Sequence, residues 1–102
     1  MELSELEKKA LQICEVPNLE GRGQNVVFAK SLIYHDLFVR GYSISEIGRL
    51  LKAHHSSVIH LLKRYNEWLE YDKEFKMLVE KFNSYENRNL FLKFFLYLLS
   101  LS

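Results

Sequence analysis

Residues 41–64 read GYSISEIGRLLKAHHSSVIHLLKR. Within them, Ser43 is followed three positions later by Glu46, just ahead of Ile47, Leu50 and Leu51. A serine and a glutamate at that spacing before an apolar run form a capping box, in which each side chain satisfies a backbone N–H of the other. The spacing predicts a short helix with Ile47, Leu50 and Leu51 facing inward, broken around Lys52–His54. A second helix then runs from about His55 to Leu69. At 100° per residue, Ser56, Ser57, His60, Lys63 and Arg64 fall on one stripe of that helix, and Val58, Leu61, Leu62, Tyr65 and Leu69 fall on another. The first stripe contains only donors, acceptors and cations. A capped short helix bracing a two-faced longer one is the arrangement of a helix-turn-helix, whose second helix enters the DNA major groove by its N-terminal end.

Working outward, the rest of the chain also reads as helix. Leu3, Leu6, Ala10, Ile13 and Cys14 share one helical face, ended by Pro17-Asn18 and the Gly21/Gly23 pair. Val26, Ala29, Ile33 and Leu37 mark another helix closing near Gly41, a residue suited to the left-handed position after a helix. Asp72 can cap a helix carrying Phe75, Leu78, Val79 and Phe82, and a separate apolar helix is expected over Leu90–Leu99. Four glycines and one proline in 102 residues leave little material for β-turns. The expectation is an all-α chain, a five- or six-helix bundle in one domain, with residues from about 72 onward as a helical extension.

Charge is distributed unevenly. The net charge is +1, but residues 20–64 carry +4 while residues 1–19 carry −2 and residues 65–102 carry −1. All four histidines also lie within 20–64. This fits one electropositive face on a near-neutral protein. Serine hydroxyls and imidazoles near a helix start can meet base edges or phosphates, and Lys63 and Arg64, two turns on, suit phosphates.

The stretch resembles the C-terminal DNA-binding domain of the bacterial replication initiator DnaA. The resemblance rests on Gly41, Ser43, Glu46, Ile47, Gly48, Leu51, His55, Ser56, Ser57, Val58, Ile59 and His60, with VFAKSL (27–32) similar to the helix after that family's basic loop. It covers roughly residues 12–76. It implies a Trp-repressor-like helix-turn-helix that binds double-stranded DNA, in replication initiation or its regulation. By the same resemblance His55, Ser56 and Ser57 take the major-groove role and Arg22 the basic-loop role, while Gln24, Asn25 and Lys30 contact the backbone at the next helix start. Ser43, Lys52, His54, His60, Lys63 and Arg64 complete the candidate set. Two departures stand out: Ala53-His54 occupies the place of the family's Arg-Asp pair, and the loop EGRGQN has a single arginine.

Other chemistries are weaker. His55 and His60 lie roughly 140° apart around a helix, and there is no H-x-x-x-H pair, so neither a metal nor another cofactor is expected. Cys14 on an apolar stripe reads as a buried structural thiol. No paired carboxylates and no phosphate-binding G-x-x-x-x-G-K-[ST] loop occur, so no enzyme is expected. The start MELS has neither a basic nor an apolar signal region, which with one cysteine suggests the cytoplasm. In NLFLKFFLYLLSLS (89–102), Phe91, Phe94, Phe95, Leu98 and Leu99 would form a broad apolar face, too short to span a membrane. Packing against the chain's own core is the first expectation, and a homodimer interface the second. The alternative to DNA binding is a protein-interaction module that keeps the fold, has lost the DNA site and uses the 75–99 aromatic faces.

Overall fold

The computed structural model describes the backbone of residues 3–101 and the side chains of residues 3–85 and 95–101. Five helices follow one another: α1 Leu3–Cys14, α2 Gln24–Val39, α3 Ile44–Leu51, α4 His55–Tyr71 and α5 Lys73–Ser100. No strand occurs among the described residues, so the chain is an all-α bundle.

The helix ends follow local chemistry. The Ser43 hydroxyl accepts from the Glu46 N–H at 3.1 Å, and the Glu46 carboxylate accepts from the Ser43 N–H at 3.2 Å. This completes the capping box, worth on the order of 1 kcal/mol. The Ser43 N–H, and after it the Ser43 side chain, hold the Glu46 carboxyl below its usual range. Gly41, at φ +104°, closes α2 in the left-handed region, where its N–H donates to the Phe38 carbonyl and Tyr42 N–H to the Leu37 carbonyl. Asp72 works twice: its N–H donates to the Trp68 carbonyl at the end of α4, and its carboxylate accepts from Phe75 N–H at the start of α5.

Packing is organised around α2. It buries Val26, Phe28, Ala29, Ser31, Leu32, Ile33, Tyr34 and Leu37 on nearly every side, as a central helix must. The other four helices surround it. Phe28, Tyr65 and Phe75 tie α2, α4 and α5 together, with ring centroids 5.0 Å apart for Phe28–Phe75 and 5.2 Å for Tyr65–Phe75. Each such pair adds about 0.5–1.5 kcal/mol beyond its burial. Lys9, buried on α1, sets its ammonium 4.0 Å above the Phe82 ring, and the Tyr85 hydroxyl donates to Gln12, which fastens α1 to α5.

The expectations need four corrections. Helix α5 is continuous, and no break precedes Leu90. Its first half is core rather than extension, since Phe75, Val79 and Phe82 are buried. Leu50 does not face inward: only Ile47 of its trio is fully buried, and Leu50 is 44% exposed. The far end of α5 is uncovered by the chain itself, with Phe95 50% and Leu98 48% exposed. The expected face also included the side chains of Phe91 and Phe94, which lie outside the described residues. No helix among the described residues is long and apolar enough to cross a membrane.

Candidate nucleic-acid interface

The turn at 52–54 shapes the candidate site. Lys52 adopts the left-handed conformation (φ 53°) and Ala53 N–H donates back to the Gly48 carbonyl at 2.8 Å. Helix α4 then starts at once, with His54 as its N-cap in an extended conformation. The His54 Nδ1 accepts from the Ser56 N–H at 3.3 Å and lies 2.8 Å from the Ser56 hydroxyl.

Between this turn, the polar stripe of α4, the start of α2 and the 19–22 loop lies an open groove of about 1050 Å³. Its polar lining is Arg22, Lys30, Lys52, His54, Ser56, Ser57, His60 and Arg64, and its apolar wall includes Val27, Tyr34, Leu61 and Trp68. The four cations come from four chain segments: the loop, α2, the turn and α4. Among the described residues no carboxylate lines the groove. A concavity walled by one sign of charge concentrates potential and attracts polyanions.

The remaining candidates lie off this groove. Gln24 and Asn25 are exposed in the first turn of α2, and Lys63 is exposed on α4 beyond the lining. Ser43 is occupied by its capping box. His55 is exposed as the first residue of α4 without lining the groove, so the turn presents His54 there instead.

Two features of the site were not anticipated. Arg64 pairs with Glu67, Nη1 to Oε2 at 2.9 Å, and its guanidinium stands 5.6 Å over the Trp68 ring. Glu67 is the next position along the polar stripe, so the carboxylate-free stretch ends at Arg64. Both partners are about half exposed, and such a pair contributes about 0.2–1 kcal/mol, little enough to exchange for another anion. Trp68 itself, four residues after Arg64, is the aromatic wall. Its helical spacing was the available signal.

Elsewhere, burial pushes the Cys14 thiol up to about 11, so it is an unreactive core group. Among the described residues no three His, Cys, Asp or Glu side chains gather as a metal site. The fourth histidine, His35, stacks on Tyr65 with centroids 3.7 Å apart, away from the groove. No family model, curated protein or solved structure matches the chain.

Proposed function

We propose that the groove binds double-stranded DNA, with α4 as the recognition helix and the 19–22 loop and α2 start holding the flanking backbone. The observation that carries this reading is the convergence of Arg22, Lys30, Lys52 and Arg64 on one carboxylate-free groove beside Ser56, Ser57 and His60. Cations fix register on the phosphates, and the short hydroxyls and imidazole are of a size to meet base edges. By the resemblance to the DnaA domain, the process is replication initiation or its regulation.

The experiment is a duplex-binding series at several salt concentrations with the parent and a Ser57→Glu/His60→Glu double variant. Four phosphate contacts give a log–log salt slope of about −3.6, at about −0.9 each. Both substituted residues are exposed, so the helical signal stays intact while binding disappears. A double variant that binds like the parent removes α4 from the interface.

A second property is supported by the exposed end of α5. Phe95, Leu96, Tyr97, Leu98 and Leu101 are each about half or more exposed, which places apolar surface on all sides of one helix end. Exposed apolar surface of this kind marks a contact site. We propose that a second copy of the chain covers it. Sedimentation of the parent as a dimer and of Leu98→Asp as a monomer is the expected result. A monomeric parent at high concentration removes the proposal.

A further inference from the structure

The cap of α4 favours the tautomer of His54 that holds its proton on Nε2. The first N–H groups of a helix lack partners inside it, and the usual caps offer a side-chain oxygen. Here the acceptor is an imidazole nitrogen, Nδ1, which receives the Ser56 N–H. A backbone N–H can only donate, so Nδ1 carries its lone pair and the neutral ring has its single proton on Nε2. The Ser56 hydroxyl, 2.8 Å from the same nitrogen, fits either tautomer, donating to a bare Nδ1 or accepting from Nδ1–H, so the backbone N–H of Ser56 is the contact that selects between them. Nε2–H stands on the opposite edge of the ring from these contacts. His54 is exposed and lines the groove.

We propose that His54 is a fixed hydrogen-bond donor to DNA, its Nε2–H meeting an acceptor of the duplex, either a purine N7 or a phosphate oxygen. This rests on the DNA reading above. An aspartate, serine or threonine cap offers no N–H donor on its far side. Histidine at the same position caps the helix and carries a donor on the far edge of a ring that lines the groove, among cations that draw the acceptor-rich duplex toward it. The cap also favours one orientation and one tautomer of the ring, so less rotamer freedom is lost on binding.

The test compares the parent with His54→Ser, which keeps a capping oxygen but has no far donor. In the free parent, ¹⁵N NMR of the ring is expected to show the proton on Nε2. His54→Ser should melt within a few degrees of the parent and bind a short mixed-sequence duplex about three- to tenfold more weakly, the worth of one net hydrogen bond. A duplex with 7-deazapurines separates the two acceptors: the loss disappears on it if N7 is the partner and persists if phosphate is. A proton on Nδ1, or equal binding by His54→Ser and the parent, overturns the assignment while leaving DNA binding intact. A parent that binds no duplex at low salt overturns both.

Discussion

The carbonyl oxygen of Ala53 lies 2.9 Å from the position a Cβ on Gly48 would occupy. That oxygen belongs to the backbone of the turn between α3 and α4, and the Ala53 N–H is bonded to the Gly48 carbonyl, so the two strands of chain are locked together there. Gly48→Ala would gain about 0.8–1 kcal/mol of helix propensity. The approach to a backbone atom costs more, because only a shift of the whole turn relieves it. The expected net is a destabilisation of about 1–2 kcal/mol, read as a lower denaturant midpoint at unchanged slope. Because His54 and Ser56 move with the turn, duplex affinity should fall further than the loss of fold accounts for.

Lys52 separates stability from binding at the same turn. It holds φ 53° without being glycine, a conformation that costs an ordinary side chain roughly 1–2 kcal/mol. Lys52→Gly removes that cost, and glycine's extra unfolded-state freedom takes back about 0.5–1 kcal/mol. Stability should therefore be unchanged or slightly higher. The groove loses one cation, so the salt slope of duplex binding should fall in magnitude by about 0.9. A variant that is more stable yet unchanged in slope would show that Lys52 touches no phosphate.

Phe75 shows where the reading of the sequence stopped. Helix ends were legible because they depend on neighbours a few residues away: Ser43 with Glu46, Gly41 after its helix, Asp72 before Phe75. The division of α4 into faces was legible because it follows from periodicity. Leu50 and the long α5 were not, since nothing local says which apolar residue has a partner across the bundle. On the residues alone the groove was legible along α4; Arg22 and Lys30 of its other wall were named only through the resemblance, because folding and not spacing joins them to α4. Phe75 was placed at the start of an extension, yet it is fully buried against Phe28, Tyr65 and Trp68. Phe75→Ala should cost about 3–5 kcal/mol. That is a large part of the stability of a domain this size. Thermal melting and near-ultraviolet circular dichroism would record it, whereas Leu98→Asp, on the exposed end of the same helix, should leave the melting of the monomer nearly unchanged.

His35 gives the fold a dependence on pH. Its ring stacks on Tyr65, 5° from parallel, and burial holds its imidazole below the ordinary histidine range, with the Asp36 charge pulling the other way. A base whose folded-state pKa is lowered binds fewer protons folded than unfolded. Above the unfolded value, near about 6.5, both states are neutral and the contribution to stability is complete. As pH falls below that value the unfolded chain takes up the proton first, and stability declines until the folded pKa is passed. Urea unfolding between about pH 8 and pH 5 should therefore show a falling midpoint on the acid side. His35→Phe keeps a ring against Tyr65 and cannot protonate, so this part of the decline should vanish while the plateau at higher pH remains. If the decline in the variant is as steep as in the parent, another group carries it.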